Sequence, residues 1–541
     1  MTDMKNENLS AALAAWRREI GDTQVLADVA TLDRYAQNAS GLDRAIGAVV
    51  KPASTDEVQR VVRIANEFHI PLYPISSGKN WGLGSRLPVT DGCVVVDLSR
   101  MNRIREVKAG QACVVVEPGV TQGQLYDYLA QNKLPFIFNV TGSGTGTSLI
   151  GNALDRGVGY FASRAENLSG LEVVLGNGQV LNTGFGHYSE AINTHVYRHG
   201  VGPSLDGLFF QSNFGIVTAA GMDLIPRAEC SMAVVATIAG EESFQAFVDA
   251  WAALIRQGVV RTAVHIANRN RTEISMGPLV YKYLAERGAK PGVDLRKQAI
   301  DLICAEGFGA WSAVAGIFGS REQLALARKE IRRALCGVAR VQFVTDGLIE
   351  IGKKVAGMLA WIPWFARKKA LVHAIEPLYG LAKGIPSSEA VYSVSWPVGE
   401  APSPGYDPDG GRAGLLYALP MIPLDSACAQ QMRDVTVRVF GSFGFEPYIT
   451  VNAVGTKALE CVINLAFERD KPDRVRAAHE CIEQLQQAFI EQGMIPYRVG
   501  IQSMGQVVRE SDPFWQTVKD LKKALDPNGI IAPGRYGLIS S

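Results

Sequence analysis

Pro74–Ser85 reads PISSGKNWGLGS, and this stretch decides how the rest of the chain is understood. Gly78, Gly82 and Gly84 permit backbone conformations closed to other residues, so consecutive amide N–H groups can converge on an anion. Ser76, Ser77, Asn80 and Ser85 add side-chain donors, Lys79 adds a charge, and Leu83 sits among them as an aliphatic residue between two glycines. The expected ligand is a phosphate. A glycine-rich loop in isolation is equally an ordinary polar turn, so its neighbours carry the argument.

Upstream, Ser54 to Phe68 predicts a helix: Ser54 and Glu57 have capping-box spacing, and Val58, Val61, Ala65 and Phe68 share a face. Downstream, CVVVDLS is a short apolar run suited to a buried strand, and CVVVEPG repeats it after Met101–Gly110. Then come the capped pattern TQGQLYDYL, the turn-rich GTGTSLIGNALDRGVGY, the strand GLEVVLGNGQVL with GNGQ as a hairpin turn, and GPSLDGLFFQSNFGIVTAAGMDLIP. Strands and helices alternate, with glycine loops at strand ends. A cofactor-binding α+β domain is the reading.

These blocks resemble the flavin domain of the vanillyl-alcohol oxidase and p-cresol methylhydroxylase family, from about Gln37 to the C-terminus. PISSGKNWGLGS resembles that family's pyrophosphate loop, VEPGVTQGQLYDYL its next strand and helix, GNALDRGVGY its flavin-proximal turn, and DPNGIIAPGRYG its closing segment. The resemblance implies an α+β protein: a p-cresol methylhydroxylase-type FAD-binding domain with an inserted cap of antiparallel sheet plus helices. It implies FAD contacts from the loop Ser76–Ser85, from Pro118 and Gly119, and from Gly151, Asn152, Gly157, Gly159 and Tyr160. Ile216 and Arg535 complete the expected cofactor set.

The chain has 541 residues, 47% of them hydrophobic, enough for two or three domains and a large core. A formal charge of +1 supplies no basic field for nucleic acid, which leaves small molecules as partners. Eight scattered cysteines form neither a disulfide framework nor a zinc pattern, as expected of reduced thiols in a cytoplasmic protein. The start, MTDMKNENLSAALAAWRREIG, lacks the features of a secretory signal. The apolar segment VAGMLAWIPWFARKKALVHAIEPLYGL is broken by Pro363, Arg367, Lys368 and Lys369, short of the roughly 20 residues a membrane span needs. An interfacial helix is one reading of it, and cap packing near a substrate entrance is the preferred one.

Texture changes near Pro226. Residues 1–226 are assigned to the FAD-binding domain, 227–494 to a substrate-binding cap and 495–541 to a segment returning to the flavin. In the cap, helical patterns such as SREQLALARKEIRRAL and KPDRVRAAHECIEQLQQAFIEQG alternate with strand runs EPYITVNAVG and ALECVINLAF. Helices on one face of an antiparallel sheet satisfy that order. APSPGYDPDGGR reads as an exposed loop.

Family members that oxidise para-substituted phenols bind phenolate and pass a hydride from the benzylic carbon to flavin N5, leaving a p-quinone methide. Such chemistry needs donors at the phenolate oxygen and benefits from a carboxylate near the flavin. Tyr497 and Arg498, in IPYRVG, match the family's tyrosine-arginine phenolate anchor; alone, the pair equally reads as a surface arginine beside a packing tyrosine. Three positions depart from the family pattern. Leu83 stands where phenol oxidisers place a second anchoring tyrosine, making it a candidate substrate contact. YFASRAENLSG is about two residues shorter than the family's carboxylate segment, so Glu166 is the nearest candidate, beside Arg164, while Asp155 reads as a local structural residue. Leu415 occupies the position where many members link FAD covalently, so FAD is expected to be non-covalent.

His187 and Tyr417 remain alternative attachment or contact residues, and Tyr417 is also a candidate substrate contact. The expected activity is FAD-dependent oxidation of an aromatic, para-substituted phenol, with oxygen, a cytochrome or another carrier as acceptor and a homodimer as the assembly. The alternative is oxidation of a non-phenolic alcohol, hydroxy acid, amine or natural-product intermediate. A flavin-binding subunit without turnover is a third reading.

Overall fold

The computed structural model describes residues 2–305, 308–358 and 363–538. Helix Thr55–Phe68 begins where Ser54 Oγ accepts the Glu57 N–H at 3.2 Å, and the Glu57 carboxylate reaches back to Ala53 N at 2.8 Å. It buries Val58, Val61, Val62, Ile64 and Ala65. The chain then turns through His69, in the left-handed region, into strand Leu72–Ile75. That strand runs parallel to Val94–Asp97, which runs parallel to Ala48–Val50, with Val25–Leu26 antiparallel at the edge. The loop Pro74–Ser85 therefore leaves the carboxyl end of a parallel sheet, where open α/β sheets place ligands. On its other side Leu72 pairs with the returning C-terminal segment: Leu72 N donates to Ile530 O and Ala532 N donates to Leu72 O, both at 2.7 Å.

The two valine-rich runs separate into different sheets. Val94–Asp97 is central in the first; Cys113–Val116 belongs to a five-stranded antiparallel sheet ordered Ile104–Lys108, Cys113–Val116, Gly215–Asp223, Leu168–Leu175, Val180–Asn182. The last pair closes through the turn at Asn177 and Gly178.

The third sheet has eight antiparallel strands between Cys230 and Glu468. Helices Phe244–Arg256, Arg321–Ala334, Ser426–Ser442 and Pro472–Glu491 cover one face, packing Trp251, Leu324, Phe440 and Leu485 onto strand residues such as Val451, Ile463 and Leu465. Alternation sends the intervening residues to the opposite face. Tyr448–Val454 and Ala458–Glu468 thus present Thr450, Asn452, Val462 and Asn464 together, and the register sets Tyr417 against Asn464 and His265 against Asn452. This polar face is roofed by helix Arg269–Ala285, which packs on Val293–Ala305 and Pro363–Ala382.

One loop assignment differs from the sequence reading. APSPGYDPDGGR is not wholly exposed: Pro408 and Asp409 are buried, Asp409 Oδ1 accepting from Ala39 N at 2.9 Å and from Ser85 Oγ at 2.6 Å. The reason is its turn at Asp407 and Asp409, which folds both carboxylates toward Trp81 Nε1 and Arg86. The apolar segment expected near a substrate entrance is helical over Asp346–Met358 and Pro363–Ala382, while 359–362 fall outside the described residues. Among the described residues no helix is long and apolar enough to cross a membrane.

Candidate active site

A cavity of about 430 Å³ lies between the parallel sheet and the polar face of the eight-stranded sheet. The structure brings to its wall Ser76, Ser77, Gly78, Lys79, Asn80, Leu83 and Ser85, with Pro118, Gly151, Asn152, Gly157, Tyr160, Ile216 and Arg535. Tyr417, Tyr497 and Arg498 reach it from the other side. Gly82, Gly84, Gly119 and Gly159 lie behind that wall. Gly82 is there for a steric reason: its φ is +75°, and a Cβ would stand 2.6 Å from Tyr417 Cε2 and 3.1 Å from Leu415 Cγ. Leu415 thus packs directly on the loop, buried with Ala39, Trp81 and Val391.

The charged centre is a triad. Asp155 Oδ2 accepts from Arg498 Nε at 2.8 Å and also from its Nη2, and Asp155 Oδ1 accepts from Arg535 Nη2 at 2.6 Å. Arg498 Nη2 also donates to Asn80 Oδ1 at 2.5 Å, and Arg535 Nη1 to Tyr73 OH at 3.1 Å. Asp155 therefore pairs with residues 343 and 380 positions away, not locally, because helix Leu149–Leu154 ends against the returning C-terminal segment. Two guanidinium groups share one carboxylate, which leaves the cluster one positive charge in excess. Burial opposes the charged form of Arg535, and Tyr73 and Asp155 more than offset it, so its pKa is raised. Burial pushes the Tyr497 hydroxyl up, as does Glu460, so it stays a protonated donor.

Sequence reasoning misses the cap wall. His265 Nδ1 lies 2.6 Å from Asn452 Oδ1, and because Asn452 Nδ2 donates to Glu460 O at 3.0 Å, the imidazole is the donor to Asn452. Its Nε2 is buried without a partner among the described residues, its ring lies 4.4 Å from that of Tyr160, and burial lowers its pKa to about 4, a neutral ring. Arg271 also lines the cavity, donating from Nη1 to Ser275 Oγ at 2.8 Å. The available signal was polar residues alternating inside apolar strand runs, Asn452 in YITVNAV and Asn464 in ALECVINLAFE.

Other candidates are not brought to the cavity. Glu166 is exposed and outside the lining, because the shortened segment turns through Arg164–Asn167 straight into strand Leu168–Leu175. Arg164 is fully buried beside Gln122 Oε1 at 3.2 Å, with Nε and Nη2 unpartnered among the described residues, and burial lowers its pKa to about 9. His187 is exposed, near Gly184 O and Tyr188. Asp155 is the sole carboxylate residue lining the cavity among the described residues.

The donor set fits a dinucleotide flavin. Lys79 Nζ makes no ion pair among the described residues and lies against Gly146, across the loop from Gly151, which has no Cβ to fill the space at Ser76 Oγ. Asn152 Oδ1 is buried and unpartnered there as well. Residues 46–184 match the model of an FAD binding domain. The chain is 34% identical to 1'-carboxy-chondrochloren decarboxylase of Chondromyces crocatus over 98% of each chain. It is 29% identical to the 4-cresol dehydrogenase [hydroxylating] flavoprotein subunit of Pseudomonas putida over 97% of this chain and 95% of that one. It superposes on a crystal structure of p-cresol methylhydroxylase with substrate bound at a TM-score of 0.83, 27% identity, covering 98% of this chain and 97% of that chain. The chain belongs to the vanillyl-alcohol oxidase and p-cresol methylhydroxylase family of FAD-linked oxidoreductases.

Proposed function

We propose that this flavoprotein oxidises a para-substituted phenolic compound at its benzylic carbon. The observation that carries the reading is the convergence of Tyr497 and Arg498 on a cavity whose Arg498–Asp155–Arg535 cluster has one charge in excess. A phenolate supplies the missing negative charge, and fixed donors in a site shielded from water hold it without reorganisation. FAD, held by the loop Ser76–Ser85 and the turn around Asn152, supplies a hydride acceptor at N5. Leu415 offers no nucleophile to that cofactor, which supports non-covalent binding. Leu83 gives the ring an apolar wall in place of a second hydroxyl.

A second reading concerns the fate of the oxidised substrate once its hydride has left. Adding water to a quinone methide calls for a base, and Asp155, bound by two arginines, is the sole cavity carboxylate among the described residues. That shortage, with the similarity to 1'-carboxy-chondrochloren decarboxylase, favours release of carbon dioxide over hydration. In a substrate bearing a carboxylate one carbon beyond the benzylic centre, the C–CO2 bond breaks. Its electron pair becomes the new C=C bond and returns the ring to phenolate. Mixing the yellow protein with phenols, alcohols and amines without oxygen tests the proposal: bleaching by para-alkyl phenols supports it, and bleaching confined to non-phenols overturns it.

A further inference from the structure

We infer that the cavity contains a second anion site, centred on Arg271, which takes the carboxylate of an aryl carboxylic acid substrate. This rests on the phenolate reading of Arg498 for the orientation of the substrate, and Arg271 supplies the opposite end.

Arg271 is held rigidly. It is the third residue of helix Arg269–Ala285, and its N–H donates to the Asn268 cap oxygen at 3.0 Å. One arm of its guanidinium donates to Ser275 Oγ, and that hydroxyl is fixed in turn by donating to Arg271 O at 2.8 Å. The remaining donors face a cavity whose carboxylate, Asp155, is taken by Arg498 and Arg535, and among the described residues no carboxylate lies within ion-pair distance of Arg271. Its charged and titratable neighbours are the hydroxyls of Tyr160 and Tyr417 and the neutral ring of His265. Burial lowers the Arg271 pKa, with both tyrosines opposing that shift.

The other two cavity arginines share Asp155, so Arg271 is the one with no carboxylate partner among the described residues. A desolvated guanidinium without a partner is costly, and a forked donor facing open space matches a carboxylate in two-point geometry. Tyr417, Arg271 and Arg498 line the same cavity, and both arginines oppose the rise that burial imposes on the Tyr417 hydroxyl. A molecule with an oxyanion at each end, a 4-hydroxyaryl carboxylate, satisfies both. The neutral His265 adds no competing charge.

The test uses the FAD-loaded protein and four probes: 3-(4-hydroxyphenyl)propanoate, its amide, 3-phenylpropanoate and 4-ethylphenol. Binding is read by calorimetry and by perturbation of the flavin spectrum. Wild type is expected to bind the acid roughly 10- to 100-fold more tightly than the amide, the range of a charge-assisted bond. Arg271→Gln should erase that ratio, Arg271→Lys should restore part of it, and 4-ethylphenol binding and FAD content should stay within a few-fold of wild type. Equal binding of acid and amide by wild type overturns the site, even if Arg271→Gln fails to fold. Loss of FAD from a folded Arg271→Gln also overturns it, since the arginine would then serve the cofactor. Failure of the phenolate reading looks different: 3-phenylpropanoate and its 4-hydroxy counterpart would bind alike while the acid-to-amide ratio persists.

Discussion

Arg535 Nη2 donates to Asp155 Oδ1 at 2.6 Å, joining the C-terminal segment to the turn that ends helix Leu149–Leu154. The opposite carboxylate oxygen is occupied by Arg498. Side-chain exposures of 9% for Asp155, 12% for Arg498 and 17% for Arg535 place the triad largely out of water. Replacing Asp155 with Asn leaves two guanidinium groups facing one another without compensation, a change that costs about 3–5 kcal/mol. Thermal unfolding of Asp155→Asn is expected well below wild type, with weaker FAD retention. An unchanged melting temperature would show that the pairing contributes nothing.

Arg498→Ala is expected to slow anaerobic flavin reduction by a para-alkyl phenol by about 10²–10³, the typical loss of one donor to a developing oxyanion. Arg498→Lys restores the charge but not the planar fork, so recovery is partial. Stopped-flow traces that stay within a few-fold of wild type for the alanine variant would remove the phenolate anchor.

At Gly82 the φ of +75° and the 2.6 Å approach to Tyr417 exclude a branched side chain. Gly82→Val adds strain of about 1–3 kcal/mol before any displacement of Tyr417 and Leu415. The expected product is a folded, colourless protein after gel filtration. Normal flavin absorbance per protein would contradict this.

Leu415, 2% exposed and packed on the loop, has no atom able to bond the flavin. Acid precipitation should leave the yellow colour in the supernatant. Fluorescence retained by the polypeptide on a denaturing gel would point to another attachment residue, with Tyr417 the first to mutate.

Burial raises the Glu460 carboxyl from 4.5 to about 7, with Glu166 adding to the shift. The folded state then holds a proton that the unfolded chain has lost, so stability falls as pH rises from about 4.5 to about 7. The loss is on the order of 3 kcal/mol. Glu460→Gln removes this slope and should gain stability over wild type at pH 8 relative to pH 5. Parallel pH profiles from denaturant titrations would refute the assignment.

The glycine-rich loop as a turn, and the helix before it, were legible because glycine spacing, a serine cap and a 3.6-residue apolar period are local signals. The cap wall was not. Arg271 lies in NRNRTE, a polar run indistinguishable from a solvated helix start, and it faces the cavity only because Asn268 caps that helix over the sheet. Asp409 lies in a stretch rich in Pro and Gly whose composition signals exposure, yet long-range bonds to Ala39 and Ser85 bury it. Asp155 looked local because its two partners are brought to it by tertiary closure alone. Asn452 and Asn464 could have been found, since a polar side chain at alternate positions of an apolar strand marks a face turned from the core.

The pairing of Ile530 and Ala532 with Leu72 ties the glycine-rich loop to a distant part of the sequence. Tyr73 OH and Arg535 Nη1 are 462 positions apart, so the strand that feeds the loop completes its pairing only through long-range closure. Local opening of the segment around Ile531 would release Leu72 N and O together with the Arg535–Asp155 pair, so the loop, the triad and the cavity wall loosen as one unit.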